Sequence, residues 1–152
     1  ARYDQPMATR HASLSLLGEL CGVAGLSVQL FALDLCDLVS SILASTTEGA
    51  NIKRAASYLG HCAIAGCGQP LLENAPRDCA LMCKRLRTHA LHSADKTTQA
   101  HANDALIALD ALLVVLLYKK QLGTRAKDAP LVYRNTWLPG NSRQDARREG
   151  GV

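Results

Sequence analysis

The chain has little of what builds sheets and little of what usually carries chemistry. Aromatic residues make up only 4% of it, although 48% is hydrophobic. Ala and Leu supply the apolar content, with few β-branched runs, which favours packed helices over strands. There is no Gly-rich phosphate loop and no Gly-x-Ser-x-Gly elbow, so neither a nucleotide cradle nor a serine-hydrolase nucleophile is signalled. Long hydrophobic runs are missing too. The longest, Ala111 to Tyr118, lies between Asp110 and Lys119-Lys120. It falls far short of the ~20 residues that a membrane span needs, so we read it as the end of a buried helix and expect no transmembrane segment. No secretory signal opens the sequence, and its first residue is Ala1. We therefore expect a piece of a longer protein, residues 1–8 being a lead-in from an upstream repeat.

Charge is modest as well. The net charge is +4, and six basic residues follow Thr124. The preceding part is close to neutral, which argues against a nucleic-acid platform. Six cysteines fall mostly on apolar faces. They are expected to be buried free thiols of a reducing compartment, although their even number also permits disulfides.

What the chain does have is a repeated helical pattern, clearest in Ile52 to Ala65. A Gly-containing polar turn, Glu48-Gly49-Ala50-Asn51, leads into Lys53-Arg54. Small and apolar residues then recur at Ala55, Ala56, Leu59, Cys62 and Ala63. Spacings of three and four put these on one helix face. The alanines allow a second helix to come close, while Lys53 and Arg54 keep their charges at the edge. His11-Ala12, Arg54-Ala55 and His101-Ala102 open three similar segments. Each Ala is followed four residues later by Leu16, Leu59 or Leu106, at intervals of 43 and 47 residues. Helical repeats of the HEAT and armadillo type have a period of roughly 40–47 residues.

The expected fold is therefore all-α: a HEAT/armadillo-like α-solenoid fragment of about five antiparallel helices over residues 9–121, followed by a basic, mostly disordered tail, 122–152. The first helix spans Thr9 to Cys21, with Ala12, Leu16, Leu17 and Leu20 as its apolar face and Gly22 to Gly25 ending it. The second spans Ser27 to Ala44, with Val28, Phe31, Leu35, Leu38, Val39 and Ile42 on its stripe and Asp34 and Asp37 facing water. Ser45 to Glu48 offer a cap for the third, Ala50 to Ala65, ended by Gly66-Cys67-Gly68. Gln69 to Ala75 reads as a short helical turn. The fourth helix starts near Ala75-Pro76, a position that tolerates proline, and turns Cys79, Met82, Cys83, Leu86 and Ala90 inward. Ser93-Ala94-Asp95 breaks it. The fifth runs from Thr97 to Gln121 on a stripe of Ala102, Leu106, Leu109, Leu113 and Leu116. In the tail, Tyr133 and Trp137 suit either a short docking peptide or packing back on the last helix.

Few residues suggest a site. Arg77, Lys84, Arg85 and Arg87 form a basic ridge on the fourth helix, and Lys119 and Lys120 follow the apolar run. These six are the candidates for binding a partner, with a plain solvated face as the alternative. A zinc site needs four converging nitrogen and sulfur ligands. Cys62-x4-Cys67 and Cys79-x3-Cys83 are not paired short knuckles, while His89, His92 and His101 lie near one helix junction. No catalytic residue, metal or cofactor is expected. A metal- or thiol-dependent enzyme using the Cys/His set is the reading of a different class, since such partners meet in space rather than in sequence.

The segment Arg10-His11-Ala12-Ser13-Leu14-Ser15-Leu16-Leu17-Gly18-Glu19-Leu20-Cys21 resembles a marked segment near the C-terminus of the transport and Golgi organisation protein six family. Its fungal relatives are called RNA polymerase II assembly factors. The likeness continues through Ile52 to Ala56 and the His101-Ala102 segment, covering about residues 6 to 118. The glycine-rich Gly60 to Gly68 region and the long basic tail depart from the family pattern. The resemblance implies the C-terminal domain of a large cytosolic α-solenoid without catalytic residues. Its implied partners are RNA polymerase II subunits and nuclear-pore or import factors, in cytoplasmic assembly and nuclear import, or vesicle-coat proteins in Golgi and secretory-pathway organisation. Upstream repeats of the same chain are expected neighbours.

Overall fold

The computed structural model describes residues 6–128, and among these every element is helical. Helix α1 is Met7–Val28, and one 3-10 turn, Gln29–Phe31, leads to α2, Ala32–Ala44. Helices α3, Ala50–Cys67, α4, Gln69–Asn74, α5, Pro76–His92, and α6, Lys96–Asp128, complete the order. The chain divides by its contacts into two units, Ala1–Val115 and Leu116–Val152. The described part of the second unit is the helical stretch 116–128, where Leu117, Tyr118 and Lys119 are exposed.

The boundaries follow local chemistry. Gly68 adopts φ +58° and gives its N–H to the Ile64 carbonyl at 3.1 Å. That left-handed conformation is open to glycine and ends α3. Pro76 occupies the first turn of α5, where its missing N–H costs nothing. Asp95 caps α6 by accepting from the Thr98 backbone N–H at 2.8 Å and from the Thr98 hydroxyl at 2.6 Å. The cap expected from Ser45 to Glu48 is not used. Gly49 stands at the N-cap of α3 without a side-chain hydrogen bond. Glu48 pairs instead with Arg10, and the Ser45 hydroxyl with Thr47.

Within the first unit, helices from successive segments lie side by side and run the same way. Met7 lies beside Gly49, Arg10 pairs with Glu48, Gly18 meets Tyr58, and Cys21 meets Gly66. Both chains ascend together, so α1 and α3 are parallel. Arg54 pairs with Asp95, and the Tyr58 ring stands edge-on to His101 at 5.3 Å, which places the start of α6 on α3 in the same sense. In a second layer, Cys36 adjoins Cys79, and His89 Nε2 lies 2.9 Å from the Leu43 carbonyl. Helices α2 and α5 are thus also parallel. The layers meet where α2 packs on α3. Gly60 marks the junction, for a Cβ there would press on Leu86 at 3.2 Å and Val39 at 3.4 Å.

The core is made of small and medium side chains: Cys21, Ala55, Ala56, Leu59, Ala63 and Ile64, with Val39, Met82 and Leu86 from the second layer. The tightest approach is α1 against α3. A Cβ on Gly25 would overlap the Gly66 carbonyl, and a Cβ on Gly66 would overlap the Cys21 carbonyl. Backbone meets backbone there, which only glycine permits.

Several expected details differ. Helix α1 does not stop at Cys21. It continues to Val28 with Gly22 and Gly25 inside it, bent at Ala24 (φ −123°, ψ 33°). Gly66 likewise lies within α3, and the second helix begins as a 3-10 turn and is α-helical only from Ala32. The inward face of α1 is Leu14, Gly18, Cys21 and Gly25, whereas Ala12, Leu16 and Leu20 are exposed and Leu17 is half-buried. The reason is that α3 approaches through its own small residues and so selects the small-residue face of α1. Phe31 of the 3-10 turn and Leu38 of α2 are exposed, while Leu35, Val39 and Ile42 are buried, and Asp34 and Asp37 face outward as expected. On α6, Ala105 joins Ala102 in the core, Leu113 is exposed, and the helix continues through 122–128 into the segment assigned to the tail. Residues 1–5 of the lead-in and the tail from residue 129, with Tyr133 and Trp137, lie outside the described residues.

Candidate binding surfaces

The four residues of the expected basic ridge lie on α5. Arg77, Lys84, Arg85 and Arg87 are all exposed, and Lys119 is exposed on the last part of α6. The Lys120 side chain lies outside the described residues. Among the described residues no acidic side chain is bonded to the ridge.

A groove of about 360 Å³ lies at the turn end of the layers. Glu48, Lys53, Thr88, His89, His92, Ser93, Asp95 and Thr98 are among its lining residues. Its two carboxylates are already engaged. Glu48 is paired with Arg10, while Asp95 accepts from Arg54 Nε at 3.2 Å and Arg54 Nη2 at 2.9 Å. The hydrogen bonds from Arg54, then those from Thr98, hold the Asp95 carboxyl well below the usual carboxylate range, and the same pairing raises the Arg54 pKa. His89 and His92 line this groove, whereas His101 is held against Tyr58, so the three histidines are not gathered into one ligand set. Among the described residues no group of three or more His, Cys, Asp or Glu side chains is placed to hold a metal ion.

A second polar feature crosses α1, α3 and α6. Tyr58 donates its phenol to the Glu19 carboxylate and lays its ring against His101. The bond to Glu19, and next the contact with Cys62, raise the Tyr58 pKa and keep the phenol protonated. Sequence reading missed this link. The 43 positions between Tyr58 and His101 equal the interval between the His11-Ala12 and Arg54-Ala55 segments, a signal that could have found it.

The thiols are free and gather in two sets, Cys21 with Cys62 and Cys67, and Cys36 with Cys79 and Cys83. Burial, then Cys67, pushes Cys21 up to about 12. The hydrogen bond with Cys36 pushes Cys79 up to about 12, and the bond to Cys79 raises Cys83. Burial raises Cys62 and Cys67. Thiols held this way stay protonated near neutral pH and are poor nucleophiles.

Two apolar surfaces are open. One follows Leu16, Leu20 and Val23 of α1 to Phe31 and Leu38, with a groove of about 230 Å³ lined by Leu17, Val28, Phe31, Asp34, Leu35 and Leu38. The other lies on α6, where Ile107, Leu113, Val114 and Val115 are exposed. Lys96–Lys119 of that helix is long and apolar enough to cross a membrane by length and composition. Helical continuity thus extends the eight-residue run seen in the sequence. Compared with family models, curated proteins and solved structures, the chain matches none.

Proposed function

We propose that this chain is a HEAT/armadillo-like α-solenoid scaffold that binds other proteins and has no enzymatic activity of its own. The observation that carries this reading is the recurrence of inter-helix links at one repeat length. Glu19–Tyr58, Arg54–Asp95 and Leu43–His89 join residues 39, 41 and 46 positions apart, and each joins helices that run in parallel. Stacked helical pairs of this kind characteristically act by presenting an extended surface. The protonated thiols and the absence of a metal-holding group among the described residues weigh against the Cys/His enzyme.

The specific role proposed is the C-terminal part of a factor for cytoplasmic assembly and nuclear import of RNA polymerase II. Its support is the resemblance of Arg10 to Cys21. Arg10, Gly18 and Cys21 of that segment meet α3 or its leading turn, and Leu14 is buried in the core, so the segment has a structural reason to be marked. The proposed partners are polymerase subunits and nuclear-pore or import factors, and the proposed location is the cytoplasm with shuttling to the nucleus. A second reading, an adaptor for vesicle coats in Golgi and secretory-pathway organisation, is favoured by the long apolar α6.

The test is quantitative capture of the tagged full-length protein from cytosolic extract, beside a form lacking residues 6–121. Polymerase subunits that disappear with the deletion are the expected result. Coat or Golgi proteins in their place select the second reading, and subunits at background level in both captures refute the polymerase role.

A further inference from the structure

The groove at the turn end, about 360 Å³, falls within the size range of ligand sites, roughly 300–1,000 Å³. The polar groups of its wall are unevenly engaged. Its carboxylates are held. Asp95 uses both oxygens, Oδ1 toward Arg54 and Oδ2 toward Arg54 and Thr98, and Glu48 is paired with Arg10. His89 is committed to the Leu43 carbonyl. Two hydroxyl protons are taken as well, Thr98 donating to Asp95 and Thr88 to the Lys84 carbonyl at 3.1 Å. Three side-chain donors of the lining remain. Lys53 is half-buried and His92 is exposed, and neither side chain has an ion pair or hydrogen bond among the described residues. The Ser93 hydroxyl accepts the Asp95 N–H at 3.3 Å, which leaves its own proton to donate. Arg10 and Arg54 offset Glu48 and Asp95, so Lys53 is the charge in this wall without a counterion. Neighbours in sequence, Lys53 and Arg54 thus differ in what they can still bind. Spare donors around an uncompensated cation select an anion with several acceptor oxygens.

We propose that this groove binds a phosphate monoester carried on a partner's peptide, with Lys53, His92 and Ser93 donating to its oxygens. A phosphoserine offers three strong acceptor oxygens and a charge of about −1.5 to −2 at neutral pH, which suits three donors better than a single carboxylate does. The groove is far larger than a phosphate group alone. Ala50 and Ala94 in its lining give an uncharged margin to the residues on either side of the modified one. Arg54 takes no part, because Asp95 holds it. The proposal rests on the scaffold reading and names the chemistry of a partner, on residues other than the α5 ridge of Arg77, Lys84, Arg85 and Arg87. Free inorganic phosphate shares that chemistry and is told apart by the test.

The test is titration of the natural chain with an acetylated and amidated Gly-Ala-phosphoserine-Ala-Gly peptide, followed by backbone amide chemical shifts. The unphosphorylated peptide, the peptide with Glu in place of phosphoserine, and inorganic phosphate are titrated beside it. The phosphopeptide is expected to saturate, to shift the amides around Lys53, His92 and Ser93, and to bind more tightly than the Glu peptide and inorganic phosphate. The unphosphorylated peptide is expected to shift none of them. Lys53→Gln is expected to weaken the phosphopeptide by about tenfold, the loss of one charge-assisted hydrogen bond, with Tm unchanged. If Lys53→Gln disturbs the fold, His92→Gln, at an exposed position, decides by the same loss of affinity. Inorganic phosphate binding as tightly as the phosphopeptide overturns the peptide partner, and the Glu peptide doing so overturns the phosphate. Shifts confined to Arg77, Lys84, Arg85 and Arg87, a titration that does not saturate, or full affinity in both variants overturns the site. The titration uses the purified chain alone. A failed titration therefore removes this site and leaves the capture result standing, while loss of polymerase capture leaves the titration standing.

Discussion

Replacing Gly66 by alanine should be one of the most damaging single-methyl changes in the molecule. A Cβ at this position would overlap the Cys21 carbonyl and carbon, which are backbone atoms that cannot rotate away. Helices α1 and α3 must therefore separate along the line where Gly18 meets Tyr58 and Cys62, and Cys21 and Gly25 meet Gly66. Overpacking costs about 1–3 kcal/mol where side chains can adjust, and a backbone obstacle belongs at or above the top of that range. Alanine returns about 1 kcal/mol through helix propensity, leaving a net loss of roughly 2 kcal/mol. Gly22 is the internal control. It is an exposed glycine within α1, and a Cβ there would meet nothing within 4 Å. Gly22→Ala should therefore gain about 0.5–1 kcal/mol. In thermal unfolding, each kcal/mol shifts Tm by about 2–4 °C in a chain of this size. Gly66→Ala should fall by roughly 4–8 °C, and Gly22→Ala should rise by about 1–4 °C. Equal behaviour of the two variants would refute the backbone contact between α1 and α3.

Ala55→Arg places a charge in the fully packed α3 interface, where Ala55 is 3% exposed, and should cost several kcal/mol by overpacking and desolvation; an unchanged denaturant midpoint would contradict the burial of that face. Asp95→Asn should lower Tm at pH 7, because a carboxyl whose folded pKa is depressed stabilises the fold above its unfolded value. That contribution is lost as pH falls through the folded value, so the gap to the natural chain should close toward roughly pH 2, and a gap independent of pH would show that the Asp95 charge is not what matters. The six thiols should react with a disulfide reagent more slowly than free cysteine in the native state and at the ordinary rate in urea. A native thiol reacting faster than free cysteine would restore the thiol-enzyme reading.

The all-helical class and the places of the main helices were legible in the sequence because Ala- and Leu-rich periodicity is a local property. Ala55, Ala56, Leu59 and Ala63 are buried as their spacing demands, and Pro76 and Ser93 to Asp95 punctuate α5 as their chemistry suggests. The inward face of α1 was not legible. Leu16 and Leu20 are more hydrophobic than Gly18 and Gly25, yet the glycines face the core, because contact distance with α3 decides the matter. The glycines also misled on boundaries. Gly22 and Gly25 resemble a helix end in sequence, but they are retained inside α1 to admit its neighbour. The Tyr58 link to Glu19 and His101 joins three segments distant in sequence, and no local pattern announces it. The groove at the turn end was equally hidden, since its residues come from the ends and starts of several helices.

Tyr58 also supplies the most direct test of the side-by-side order of α1, α3 and α6, because its single side chain touches both α1 and α6. Its ring lies against Gly18 of α1, with Cε1 2.9 Å from where a Gly18 Cβ would stand, and its centroid is 5.3 Å from that of His101 on α6. The decisive measurement is the set of nuclear Overhauser contacts of the assigned Tyr58 ring protons. The parallel, side-by-side order of α1, α3 and α6 predicts contacts to the Gly18 α-protons and to the His101 ring in the same spectrum. Contacts to one neighbour without the other, or to neither, would contradict it.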